Sequence, residues 1–377
     1  MDKKGNKKIK VALITINDRA NIGNRLQNYA VQCVLEKKDC YVTTMYYSLP
    51  IFKRFSANYF KLFVRNIFVK THLYFSLPFA KYVKRDVRMY LASKFNKKHI
   101  KSSTKLIYNN RKLRKISKQF DKWCVGSDQV WNPALVMNFG FFFLDFAEKE
   151  KTFSLATSFG TTYIDEKYKD TYINGLRHMG RISVREVEGK KIIKNLVDRD
   201  VVQIVDPTML IDKSEWTSIA QRPKCCSDKK FIFLYFLSDM TQKQRQAIYS
   251  YADENYFEVI DAQSKNYHEI GPAEFIWCIA NAEFVFTDSF HGSVFSILFH
   301  KSFIVFSRNK MYDMSSRITT LLNTFNLEKC YCEISDNINI TLPESIREIK
   351  CKDLEYIDDV LLSERKRADK FLDGVFV

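Results

Sequence analysis

Short apolar runs bounded by polar turns alternate along this chain with stretches whose apolar residues recur every three or four positions. The runs have strand length and the stretches have the period of an amphipathic helix. Ile9 to Ile16 is the first strand candidate. After the polar loop Asn17 to Asn24, the residues Leu26, Tyr29, Ala30, Cys33, Val34 and Leu35 keep helical spacing, and Tyr41 to Tyr47 reads as the next strand. A β-loop-α-β opening of this kind begins a doubly wound sheet. The loop holds a single glycine, so the dinucleotide fingerprint GxGxxG is absent. Asn21, Asn24, Arg25 and Gln27 instead crowd hydrogen-bonding groups at the helix start, where they serve either capping or a cleft.

The alternation continues. Phe120 to Val125 is a strand that ends in the turn Gly126-Ser127-Asp128-Gln129, next to Trp131, a second expected piece of a site. Phe141 to Phe146 and Lys151 to Ser158 read as further strands. Ile182 to Glu186 is a short strand opening a helix over Val187 to Val197, and Val201 to Val205 is closed by Asp206-Pro207-Thr208. A boundary falls in the polar stretch Trp216 to Lys230. Beyond it a second series begins: strands at Lys230 to Leu237, Phe257 to Ile260 and Ser302 to Phe306, with helices over Thr241 to Asn255, Pro272 to Asn281, Arg317 to Phe325 and Lys352 to Leu372.

Within that second series, Phe284 to Phe299 concentrates the chemistry. An apolar run, Phe284 to Phe286, stops at Thr287-Asp288-Ser289, and helical spacing resumes with Val294 after Gly292. His291 then falls at or just before a helix start, where free backbone N–H groups and the helix dipole favour an anion.

Composition adds compartment and charge. The 377 residues suggest two domains, and the 46% hydrophobic content is that of a globular chain. Met1 to Lys8 is basic and polar with no apolar core, and no stretch approaches the roughly 20 apolar residues that span a bilayer, so a cytosolic protein is expected. Nine cysteines without a CxxC pair fit reduced thiols and no zinc knuckle. Nor does any carboxylate–histidine cluster have metal-ligand spacing. The net charge of +17 is concentrated: twenty basic and two acidic residues lie between Ile51 and Lys122, leaving forty basic and forty-one acidic elsewhere. Aromatic residues interleave with these charges. The segment 51–122 reads as amphipathic helices forming a solvated basic face, a surface for an anionic membrane leaflet, or a nucleic-acid contact. No nucleic-acid module surrounds it, and nucleic acid is not an expected partner.

Six blocks taken in order make the chain resemble the polysaccharide pyruvyl transferase family. They are Gly23 to Ala30, Val125 to Asn132, Ser183-Val-Arg-Glu186, Asp206-Pro-Thr208, Thr287 to Ser296, and Ser316-Arg317. The resemblance implies an α/β fold of two Rossmann-like domains facing across a cleft, the glycosyltransferase-B-like plan. On that plan residues 1–215 form the first domain, with the basic helical insertion at about 51–122, and 216–345 form the second. Residues 346–377 are a C-terminal helix expected to pack back on the first domain.

The resemblance also implies an enzyme that transfers a pyruvyl group from phosphoenolpyruvate to two hydroxyls of a cell-surface glycan or its lipid-linked precursor. The product is a cyclic ketal, and phosphate is released. No cofactor is implied beyond phosphoenolpyruvate as co-substrate. His291 matches the family's acid/base histidine, with Asp288 either orienting it or capping the helix. Arg185 matches the family arginine that meets the donor, and Ser289, Gly292 and Ser293 line the helix terminus expected to hold phosphate. Asn21, Asn24, Arg25, Gln27, Ser127, Asp128, Gln129 and Trp131 are assigned to the acceptor side or the cleft wall. One position departs from the pattern. Characterised members carry Arg-Leu-His where this chain reads Ser289-Phe290-His291, so either Arg308 or Arg317 supplies the missing cation or the donor is another molecule. A nucleotide-sugar glycosyltransferase and an inactive glycan-binding relative are the alternatives on the same fold. Residence at the inner face of the cell membrane follows only if the basic segment meets lipid.

Overall fold

A computed structural model describes residues 8–16, 21–45, 80–102, 110–134, 139–264, 269–308, 315–333 and 354–377. The first half opens with β1 (Ile9–Ile14), α1 (Ile22–Glu36) and β2 (Cys40–Thr44). Two helices of the basic segment follow, α2 (Ala80–His99) and α3 (Asn110–Ser117), while 51–79 and 103–109 lie outside the described residues. Next come β3 (Lys122–Val125), β4 (Thr152–Ser154), α4 (Glu166–His178), β5 (Ser183–Val184), α5 (Val187–Val197) and β6 (Val202–Gln203). The first sheet runs β2-β1-β3-β4, all parallel, and the pair β5-β6 adjoins it through the bridges Phe153 to Arg181 and Thr157 to Val184.

After α6 (Lys213–Ile219), the second half is built from β7 (Phe231–Tyr235), α7 (Gln242–Glu254), β8 (Glu258–Asp261), α8 (Pro272–Asn281) and β9 (Phe284–Thr287). It continues through α9 (Phe290–Leu298), β10 (Phe303–Phe306), α10 (Ser315–Thr324) and β11 (Tyr331–Cys332), and α11 (Leu354–Asp373) closes the chain. Its parallel sheet has the order β11-β10-β9-β7-β8. In each sheet the order reverses beside the first strand, between β1 and β3 and between β7 and β9. Ligands of doubly wound sheets bind at such switch points, beyond the carboxyl ends of the strands.

The halves are in contact. α1 packs on α8, and one apolar cluster runs from Val11 and Leu26 through Ile276 and Val294 to Leu372. α11 spans the assembly. Lys38 of the first half pairs with Asp369 at 2.5 Å and Asp373 at 2.7 Å, and Phe376 meets Phe153 with ring centroids 5.9 Å apart. Arg365 holds Met209 O, Ile211 O and Asp212 of the connecting segment, and His300 of the second half meets Asp358 at 2.9 Å.

Two elements differ from the sequence expectation. Phe141 to Phe146 is not a strand: Phe139–Phe142 is a helical turn, and Leu144 has φ of 56°. The aromatic rings there are drawn into a cluster in which Trp131 stacks on Phe143 and Tyr172 meets it edge-on. Tertiary packing of this kind overrides strand propensity. The second difference is α9, which starts at Phe290, ahead of the apolar spacing that resumes at Val294, so His291, expected at or just before the helix start, lies within the first helical turn. Among the described residues no helix is long and apolar enough to cross a membrane.

Candidate active site

Polar and charged side chains meet where the two halves touch, five of them carried past the carboxyl end of a parallel strand. Asn24 follows β1, Asp128 follows β3, Arg185 follows β5, Asp206 follows β6, and His291 follows β9. Arg317 enters from α10. All six are buried.

Asp206 is the hub. Its extended backbone caps the 3-10 turn Pro207–Met209, where Oδ1 accepts from Thr208 N at 3.0 Å and from Thr208 Oγ1 at 2.7 Å. Its Oδ2 accepts from Arg185 Nη1 at 2.6 Å and from Ser127 Oγ at 3.3 Å, and lies 3.8 Å from His291 Nε2. Burial alone raises the Asp206 pKa, but protonated His291, Arg185 and the Thr208 donors outweigh it and hold the carboxyl below its ordinary value. Glu186 is fully buried, and its Oε1 accepts from Ser158 Oγ at 2.9 Å and Phe159 N at 2.7 Å.

Arg185 is almost wholly enclosed. Burial opposes its charge, yet Asp206, Asp128 and Glu186 together raise its pKa above the usual arginine value. One Nη is spent on Asp206, while Nε and Nη2 have no hydrogen-bond partner from the protein. Arg317 reaches the same cluster from α10. Its Nη1 lies 3.9 Å from Asp128 Oδ1, and the Gln129 amide, turned so that its oxygen faces the guanidinium, accepts from Nε at 3.2 Å and Nη2 at 2.9 Å. Burial and the neighbouring Arg185 charge bring the Arg317 pKa down to about 10, which still leaves it protonated at neutrality.

Asp128 sits in the left-handed region at φ 74°, a conformation that Asp tolerates better than most residues. Ser158 N donates to its carbonyl at 2.9 Å, and Asn24 Nδ2 donates to its carboxylate, tying the β3 turn to the start of α1. Asn21 caps that helix by accepting from Asn24 N at 3.2 Å.

His291 is 7% exposed, and its Nε2 has no hydrogen-bond partner from the protein. Burial pushes its pKa below the ordinary value; Asp206 and Asp128 act to raise it, and the two arginines add to the lowering. The imidazole is therefore neutral at pH 7. Its ring lies against the first turn of α1: a Cβ built on Gly23 would stand 2.2 Å from Nδ1. Gly23→Ala must displace the ring, since real Cβ atoms do not approach that closely. We expect it to lower Tm, with an overpacking cost of about 1–3 kcal/mol, and to cut kcat more than KM. An unchanged kcat in the folded variant would show that the ring position is not critical.

The helix carrying His291 is set by its cap. Ser289 is extended and its Oγ accepts from Gly292 N at 3.4 Å, while Ser293 Oγ turns back to Ser289 O at 3.3 Å. Gly292 is required by contact: a Cβ there would lie 2.3 Å from Thr287 Oγ1, which donates to Tyr235 O at 2.6 Å.

Several residues expected at the site stand elsewhere. Both Asp288 oxygens are engaged away from His291, accepting from Leu237 N at 2.6 Å, Ser238 N at 2.9 Å and the Ser238 hydroxyl. Arg308 is fixed on Asp288, donating from Nε to its carbonyl at 2.9 Å, so of the two arginines considered as replacements only Arg317 reaches the cluster. Trp131 is a core residue whose Nε1 donates to Phe142 O at 3.0 Å. Arg25 reaches Ile16 O at 3.0 Å, and Gln27 donates to Thr15 Oγ1 at 2.7 Å, so both brace the loop after β1. Sequence reasoning quoted Asp206, Glu186, Phe290 and Gly23 within motifs but assigned them no role. The available signal for Asp206 was its place in an Asp-Pro-Thr turn directly after a strand.

Residues 21–310 match the family model described as polysaccharide pyruvyl transferase. No curated protein matches the chain. Among solved structures, it is similar to the UDP-GlcNAc 2-epimerase from Neisseria meningitidis bound to UDP-GlcNAc, at 9% identity and a TM-score of 0.50, over 96% of this chain and 100% of that one. The UDP-GlcNAc 2-epimerase from Methanocaldococcus jannaschii is also similar, at 9% identity and 0.50, over 94% of this chain and 98% of that one. Likeness at that identity shows the fold alone, which is the glycosyltransferase-B-like pair of Rossmann-type domains.

Proposed function

The chain belongs to the polysaccharide pyruvyl transferase family and is a transferase, and on that premise we propose that it moves a pyruvyl group from phosphoenolpyruvate onto two hydroxyls of a glycan. One observation carries the reading. Around a single Asp206 oxygen, His291 Nε2 and the Nε and Nη2 of Arg185 are buried without a hydrogen-bond partner from the protein. Orphaned buried polar groups cost stability, so a site that keeps them is suited to a ligand that satisfies them. Phosphoenolpyruvate offers a carboxylate and a phosphate, both of which match the planar fork of an arginine.

The chemistry fits these groups. One sugar hydroxyl adds to C2 of the enol as the methylene carbon gains a proton. Phosphate then departs, and the second hydroxyl closes the ketal. Of the two hydroxyl protons, one is matched by the proton gained at the methyl carbon and the other by the proton that leaves with phosphate. Neutral His291 accepts a hydroxyl proton, and Asp206 stabilises the imidazolium that forms. Arg185 and Arg317 hold the donor's anionic groups, with Arg317 filling the place left by Ser289. Asn24 and Asp128 sit where they would meet the acceptor.

The test is phosphate release from phosphoenolpyruvate with extracted lipid-linked glycans. Release that needs both substrates and incorporates pyruvate into the glycan is expected. No release, together with tight calorimetric binding of a nucleotide sugar, would replace this reading with glycosyl transfer.

A further inference from the structure

The Phe290 ring is within cation–π reach of both arginines, and nothing in the proposed chemistry uses it. The Arg185 guanidinium carbon lies over its ring at 4.3 Å from the centroid and that of Arg317 at 5.6 Å. The ring is 5% exposed and meets His291 edge-on at 5.4 Å. Two buried cations beside one another repel, and the Arg185 charge contributes to the lowered pKa of Arg317. The carboxylates of Asp206 and Asp128 offset part of that repulsion: Asp206 holds Arg185 at 2.6 Å, and Asp128 is shared, 3.8 Å from Arg185 and 3.9 Å from Arg317, beyond hydrogen-bond reach of either. Glu186 also attracts both charges, and the face of the aromatic ring adds a neutral surface in contact with both, an attraction that is strongest where water is excluded.

We propose that Phe290 is a positioning residue that keeps the Arg185 and Arg317 guanidiniums side by side, so that both address one anion. The inference rests on reading these arginines as the anion-holding pair, but not on phosphoenolpyruvate being the anion. A leucine would fill the same apolar space and remove only the π face. A purely structural role predicts little from that exchange, whereas positioning predicts a loss of anion affinity that depends on the arginines.

Inorganic phosphate serves as the probe, measured by calorimetry on the full chain. Phe290→Leu is expected to weaken phosphate binding about tenfold or more, and Phe290→Tyr, which restores the ring, to recover most of it. In an Arg317→Ala background the same leucine exchange should cost much less, because the second cation is already gone. Phe290→Met is the second variant if the leucine form does not fold. Equal phosphate affinity for wild type and the leucine or methionine form overturns the proposal. So does a full additive loss in the Arg317→Ala background, or a wild type that binds no phosphate at millimolar concentration. If wild type binds phosphate in a Phe290-dependent way yet never consumes phosphoenolpyruvate, the positioning role stands and the assigned donor fails.

Discussion

Arg185→Met should cost this protein both fold stability and its hold on an anion. Removing the guanidinium strands Asp206 and Glu186 as buried charges with only part of their compensation, a change that typically destabilises by about 3–5 kcal/mol. Urea denaturation would register it as a lower midpoint. Activity should fall by about 10²–10³-fold, as when a preorganised donor to a reacting oxygen is lost. A second substitution separates the two effects. In Arg185→Met/Asp206→Asn the unpaired charge is gone, while an asparagine can still cap the turn at Thr208. More than half of the lost stability should return, with no return of activity. Recovery of both would mean that Arg185 serves only to neutralise Asp206.

His291→Gln is the second large effect, expected to lower kcat by about 10²–10⁴-fold while leaving the protein folded. The pH dependence gives a finer signature. Burial lowers the His291 pKa below 6.5, so the neutral, proton-accepting form persists through neutrality and activity should fall only on an acid limb centred below that value. Arg317→Gln removes one of the charges that lower it and should move the limb up; Asp206→Asn removes the main charge that raises it and should move the limb down. A limb that ignores both substitutions would assign the acid limb to another group. Stability follows the same sense. The folded protein holds His291 less protonated than the unfolded chain does, so stability declines as pH drops below about 6.5 toward the folded value. Asp206, also lowered by folding, adds a further loss at lower pH, as its carboxylate becomes protonated.

Much of this architecture can be read from periodicity. The helices over Val187–Val197 and Pro272–Asn281 have the bounds that apolar spacing and flanking turns suggest. Thr241 and Asn255, the ends of another expected helix, are its two caps. Where the reading slipped, the deciding force was not local. The Phe141 to Phe146 run has the composition of a strand but folds as turns around Trp131. At α9 the cap at Ser289 started the helix earlier than the apolar residues indicated.

The site was legible as blocks, not as pairings. Arg185 and Asp206 are 21 residues apart and meet because β5 and β6 lie in parallel register. Nothing local tells that Asp288 turns toward Ser238 instead of His291. Arg308 and Arg317 look equivalent in sequence, and only the course of the chain into α10 brings the second of them to Asp128.

The C-terminal helix carries a consequence for how the protein is made. α11 is translated after every surface that it covers, and those surfaces belong to the first half, the connecting segment and the second half alike. Until it emerges, the first half presents Phe153 and the side of α1 near Lys38 without the partners they have in the finished fold. Partly covered apolar surface of this kind is what chaperones bind and aggregates grow from. A ribosome stalled just before residue 354 would hold two nearly complete domains that cannot yet be clasped. The yield of folded protein should therefore depend on how promptly Leu354–Asp373 is added.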